Sequence, residues 1–142
     1  MNTTVTDIFK FLSEELSISI EELNINSDIN ENLGVDGDDF FELMEAFSKN
    51  FNVDISNYLW YFHHGEEGLN IPGGIFFKPP YNRVNRIVIT PKILLESANS
   101  KKWLIEYPEH NLPKKRYDIL INQLLFGLFF ILVLVALLTK ST

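Results

Sequence analysis

The sequence predicts a mainly α-helical protein: a small acidic domain of four helices with a two-stranded insertion, followed by one C-terminal transmembrane helix. Three observations predict it. Residues 119–138 read ILINQLLFGLFFILVLVALL, an uncharged run that matches a hydrocarbon core of roughly 30 Å at about 1.5 Å per residue. Ahead of that run, apolar residues recur mostly at helical spacing. There is no cysteine, so the front domain must hold by its apolar core, without disulfides or thiolate metal sites.

The first helix is expected over residues 5–16, where Val5, Ile8, Phe9, Leu12 and Leu16 make an apolar stripe. Thr4 and Asp7 have the spacing of a capping box. Residues 17–35 read as a loop pinned by Ile18, Ile20, Leu23, Ile25, Ile29 and Leu33, with Ser19 able to cap one helical turn over Ile20, Glu21 and Glu22. Helix two follows. Asp36 is its expected N-cap, Asp38 and Asp39 suit the positive end of the helix dipole, and Phe40, Leu43, Met44, Phe47 and Phe51 line one face. Phe41 falls off that face, among Glu42, Glu45, Ser48 and Lys49.

Residues 55–61 predict a short third helix. Ile75, Phe76 and Phe77, then residues 86–89, read as two short strands around Pro79 and Pro80. Thr90 and Pro91 open a fourth helix with Ile93, Leu94 and Ala98 on its inner face. Trp103 and Leu104 close the domain, expected at residues 1–105. Residues 106–118 form a basic linker, 119–138 the membrane helix and 139–142 a short tail.

Charge divides the chain. Residues 1–75 hold fifteen Asp and Glu against two Lys, a balance of −13; residues 76–142 hold ten Lys and Arg against four acids, a balance of +6. Phosphates would be repelled by the front half, so no nucleic acid is expected there; a basic protein partner is favoured, and a plain solvated acidic surface explains the charge equally well. Lys114, Lys115 and Arg116 precede the apolar run and only Lys140 follows it. The positive-inside rule then places the front domain in the cytoplasm, in a single-pass layout. Residues 1–7 lack the basic start and long apolar stretch of a signal peptide.

Residues 15–51 resemble acyl carrier proteins. Those proteins place Leu-Gly-x-Asp-Ser-Leu at the start of their second helix; here Leu33-Gly34-Val35-Asp36-Gly37-Asp38, then Glu42-Leu43, stand in the same register. Phe51-Asn52-Val53-Asp54-Ile55 and Ile89-Thr90-Pro91 continue the likeness over about ninety residues, interrupted by an insertion at 60–88. The resemblance implies a carrier-style four-helix bundle. Carriers attach phosphopantetheine through the serine hydroxyl, and Gly37 at that position has no side-chain nucleophile, so no such cofactor is expected. Asp38 and Glu45 replace apolar residues on the face that carriers present to their enzymes. With its Gly-Asp-Asp variant, Trp103 and the Pro- and Gly-rich stretch, the chain is identified as a member of a bacterial family with carrier-like sequence, domain-of-unknown-function family 1493.

Other chemistry finds little footing. His63 and His64 neighbour each other in a predicted loop, where the ordinary place is the surface; His110 stands alone. Asp28, Asn30 and Asn32 alternate like the start of a calcium loop, but the sixth position is Leu33 and the twelfth is Asp39, which fails the pattern. Asp36, Asp38 and Asp39 could hold a cation loosely, and capping helix two is their simpler role. No metal and no catalytic residue is expected. Phe41 has two open roles: packing under the 60–88 insertion, slightly favoured, or anchoring a partner within Asp38, Glu42 and Glu45.

The expected function is therefore a non-enzymatic, carrier-like interaction module tethered to the inner face of a bacterial cytoplasmic membrane. Its partner-binding residues are Asp38, Asp39, Phe41, Glu42 and Glu45, beside Gly37. The alternatives are an accessory factor in acyl or lipid metabolism, and a structural subunit of a membrane complex whose front domain is a passive cap.

Overall fold

A computed structural model describes residues 2–140 of the chain. Among them are five α-helices and three short 3-10 turns. The described chain divides into two units: one takes residues up to Glu67 with Val84–Glu109, the other takes Gly68–Arg83 with the chain from His110 onward.

In the first unit, α1 (Val5–Leu16) starts at the expected capping box. The Thr4 hydroxyl accepts the Asp7 N–H at 3.3 Å, and the Asp7 carboxylate accepts the Thr4 N–H at 2.8 Å. These bonds satisfy two donors that a helix start would otherwise leave open. The buried stripe is Ile8, Phe11 and Leu12. Phe11 was not in the expected stripe; it meets the rings of Phe47 and Phe51 on α2 (Gly37–Phe51) at 6.1 and 5.4 Å. Helix α4 (Pro91–Ser100) is capped by Thr90 as expected and buries Leu94 and Ala98. These helices share a core with Leu23, Ile29, Val53, Ile89 and Trp103.

The loop from Ser17 to Val35 forms a 3-10 turn at Ile20–Glu22 and buries Leu23 and Ile29. A long-range ion pair ties it down: Arg86 reaches Asp28 at 2.6 Å and Glu31 at 2.7 Å. Asp28 also accepts the Asn30 N–H, and Asn32 accepts the Asp28 N–H. The side-chain oxygens of Asp28 and Asn32 are thus engaged within the chain.

Two expectations are corrected. There is no strand among the described residues, only an isolated parallel bridge between Asp54 and Lys102. Ile75, Phe76 and Phe77 instead belong to α3 (Gly73–Phe76) and its end; bonds from Gly74 N–H to Asn70 and from Phe77 N–H to Gly73 close the turn locally. Pro79 and Pro80 open a second local turn, a 3-10 helix at Pro80–Asn82, because proline lacks the donor a hairpin ladder needs. Residues 86–89 form no regular element and bond outward, Ile87 N–H to the Phe62 carbonyl and the Ile89 carbonyl to Ile29 N–H. The third helix expected over 55–61 is reduced to a 3-10 turn at Trp60–Phe62.

An aromatic and polar knot holds that turn. His63 is 1% exposed and His64 is 6% exposed, so the pair is buried rather than on the surface. Tyr107 Oη accepts the Leu59 N–H at 3.1 Å and the Trp103 Nε1–H at 2.8 Å. Its own proton therefore goes to His63 Nε2, 2.7 Å away, and His63 donates Nδ1–H to the Ile87 carbonyl at 2.8 Å. This pattern requires a neutral imidazole in one tautomer. Tyr58 stacks on the His63 ring at 5.2 Å.

Burial holds His63 well below its ordinary value of 6.5, at about 4. Burial moves His64 in the same direction. The unfolded chain binds these protons as pH falls below 6.5, while the folded His63 refuses its proton until about 4. The contribution of His63 to stability is therefore fully present above pH 6.5 and is lost between 6.5 and 4, by up to about 3 kcal/mol. Urea unfolding of the full chain across that range measures the slope, and His63→Phe should flatten it. Tyr107→Phe, which strands three partners, should cost about 1–3 kcal/mol at pH 7.

Candidate functional site

The surface singled out in the sequence is the N-terminal half of α2. Its apolar positions Phe40, Leu43, Met44 and Phe47 are buried, which turns the intervening positions outward. Asp38, Asp39, Phe41, Glu42 and Glu45 are all exposed. Positions 38, 41, 42 and 45 follow the three- and four-residue spacing of one helix face. Phe41 is 49% exposed. Its neighbour Phe40 meets the 60–88 insertion, with the His64 ring stacked on it at 4.8 Å and 13°. Lys49 lies 3.9 Å from Glu45 in an exposed pair of little energetic weight.

A cleft of about 270 Å³ opens beside this face. Glu15, Asp39 and Glu42 line it together with Leu16, Leu33 and Leu43. Three carboxylates next to aliphatic side chains suit the stem and head of a lysine or arginine. The sequence contained Asp39 and Glu42 but gave no sign that Glu15, from the end of α1, would join them.

Gly37 is buried, and the segment after the Trp60–Phe62 turn covers it. Its φ is +54°, in the left-handed region, and a Cβ built there would overlap Glu67 Cγ. A side chain at this position would meet both backbone strain and steric overlap. Asp36 stands at the N-cap with extended backbone, but its side chain makes no cap bond; Asp36 Oδ1 accepts the Gly65 N–H at 2.9 Å instead. The expected cap is thus diverted to holding residues 63–67 over the helix start. His64 contributes its ring stack, and its Nδ1 lies 2.8 Å from the Gly65 carbonyl. The exposed face thus carries charge and one aromatic ring, and Gly37, in register with the carrier serine, lies beneath Glu67. Among the described residues no group of His, Asp and Glu is arranged to hold a metal ion.

In the second unit, α5 (Tyr117–Lys140) is the one described helix long and apolar enough to cross a membrane. At 24 residues it spans about 36 Å. It takes in Tyr117 and Asp118 before the expected run, and Thr139 and Lys140 after it; the last two residues of the expected tail lie outside the described residues.

Gly37→Ser should destabilise the fold by about 1–3 kcal/mol, from left-handed strain and the overlap with Glu67. Adding Glu67→Ala should recover only the steric part. Chemical denaturation of the single and double variants measures both shares; an unchanged midpoint for Gly37→Ser would show that Gly37 is not confined as described.

A stretch of this chain is 33% identical over 58 residues to an acyl carrier protein of Cylindrotheca sp. (strain N1), covering 41% of this chain and 72% of that protein. No solved structure matches significantly. A family model matches residues 2–106, nearly all of the first unit together with Gly68–Arg83 of the second. The chain thus belongs to the protein-of-unknown-function family DUF1493.

Proposed function

We propose that this chain is a membrane-tethered, non-enzymatic interaction module that keeps the carrier-like docking helix and has given up the prosthetic arm. One observation carries the reading: Gly37 has no nucleophile and lies under Glu67, while the adjoining face of α2 stays exposed with four carboxylates and Phe41. A contact surface remains where the covalent chemistry does not. Asp38, Asp39, Glu42 and Glu45 attract a basic patch, the Glu15-lined cleft accepts a cationic side chain, and Phe41 supplies desolvated area at the centre. The tether is α5, which raises the local concentration of the module near membrane partners. Lys114, Lys115 and Arg116 before α5, against Lys140 after it, favour a bacterial inner membrane with the front domain in the cytoplasm.

The similarity to an acyl carrier protein favours a second reading, an accessory factor in acyl or lipid metabolism that still docks carrier partners. A structural subunit of a membrane complex, with the front domain a passive cap, remains the third alternative.

Affinity purification from membranes with α5 intact tests the first reading. Asp38→Lys with Glu45→Lys should lower recovery of the bound partner by about tenfold, and Phe41→Ala should lower it too. Partners retained equally by all variants would refute the α2 assignment. Intact mass after co-expression with a phosphopantetheinyl transferase should show no added prosthetic group; an increment would revive the acyl-metabolism reading.

A further inference from the structure

The second unit holds a feature that the tether alone does not require. Gly68–Arg83 is clasped onto the first turns of α5 by buried and half-buried polar groups. Asn70 Nδ2 donates to Asp118 Oδ2 at 2.7 Å, Asn122 Nδ2 donates to Asn70 Oδ1 at 2.7 Å, and the Gly73 N–H donates to Asn122 Oδ1 at 2.7 Å. Arg116 pairs with Asp118 at 2.6 Å. Gly73 lies so close that a Cβ there would overlap the Asp118 carbonyl oxygen. The loop is therefore held at the N-terminal end of the apolar helix.

The clasp leaves the apolar side chains of the loop outside. Leu69 is 88% exposed, Ile71 60%, and Ile75 and Phe76 71% each. In water this is an unfavourable patch of large hydrophobes on one short segment. The segment 68–83 holds Lys78 and Arg83 and no acid, and Lys114, Lys115 and Arg116 precede α5. Apolar side chains flanked by basic ones, at the entry of a helix fit to cross hydrocarbon, match the boundary between acyl chains and anionic headgroups.

We infer that residues 68–83 form a second membrane contact, an interfacial loop that inserts Leu69, Ile71, Ile75 and Phe76 into a bilayer bearing anionic headgroups, with Lys78 and Arg83 among the phosphates. This rests on the tether reading, because the loop is fixed to α5. The clasp sets the depth of the helix entry, and the loop adds a dependence on lipid charge that a bare helix lacks.

The natural chain has no cysteine, so single-cysteine variants of the full chain label cleanly. Ile75→Cys and Phe76→Cys would carry an environment-sensitive fluorophore, with Asp38→Cys as the water-exposed reference and Leu128→Cys as the probe of α5. The protein is reconstituted in phosphatidylcholine vesicles with and without phosphatidylglycerol. Labels at 75 and 76 should be shielded from iodide by at least about threefold relative to 38, and quenched by lipids with a nitroxide near the headgroup. The label at 128 should be quenched most by a nitroxide deep in the chain. Shielding at 75 and 76 should increase with phosphatidylglycerol and be lost from those vesicles in Lys78→Glu with Arg83→Glu.

If 75 and 76 remain as open to iodide as 38 while 128 stays in lipid, the loop inference fails and the tether stands. If 128 is itself open to iodide, both fail. Shielding without nitroxide quenching would mean that protein covers the loop, and equal shielding in both vesicle types would remove the anionic selectivity; either overturns the inference as stated.

Discussion

Much of the first unit depends on one phenol. Tyr107 Oη accepts from Leu59 N–H and Trp103 Nε1–H and gives its proton to His63 Nε2. The His63 ring passes the constraint on to Ile87 through Nδ1. Three separate stretches are thereby joined by groups that would each be costly to bury unpaired. Because the network admits only a neutral imidazole, it also ties the packing of this region to pH. The ring stacks of Tyr58 on His63 and Phe62 near Tyr107 enclose it in apolar surface, which strengthens each bond and penalises the charged histidine.

The consequence is felt at the start of α2. With residues 60–63 held in place, His64 lies flat on Phe40, Gly65 bonds Asp36, and Glu67 covers Gly37. In a carrier this helix start is where the prosthetic group leaves the protein; here it is a packed joint. The outward face of the same helix is exposed and carries Asp38, Asp39, Glu42 and Glu45.

The second unit applies a different rule. A helix of this length and apolarity has its own backbone bonds satisfied, but Asn122 near its start needs a partner for its amide. Asn70 and Gly73 supply it, and Asp118 in turn accepts from Asn70, so a polar residue near the helix start becomes the attachment point for a neighbouring loop. The apolar side chains left facing outward follow from that attachment.

The order of the residues determined α1, α2, α4 and the apolar span by itself. The Thr4–Asp7 cap, the stripe of Phe40, Leu43, Met44 and Phe47, the Thr90–Pro91 start and the run of residues 119–138 are local patterns, and helices are built from local bonds. The exposed acids of α2 were equally legible, because periodicity sets which side of a helix faces outward. Only the tertiary structure decided where Phe41, His63 and His64 lie, that residues 75–77 turn instead of extending, and that Glu67 closes over Gly37. Those outcomes rest on pairs far apart in sequence, His63 with Tyr107, Arg86 with Asp28, Asn70 with Asp118. No local spacing encodes which distant polar groups will meet, and burial leaves them no alternative once they do.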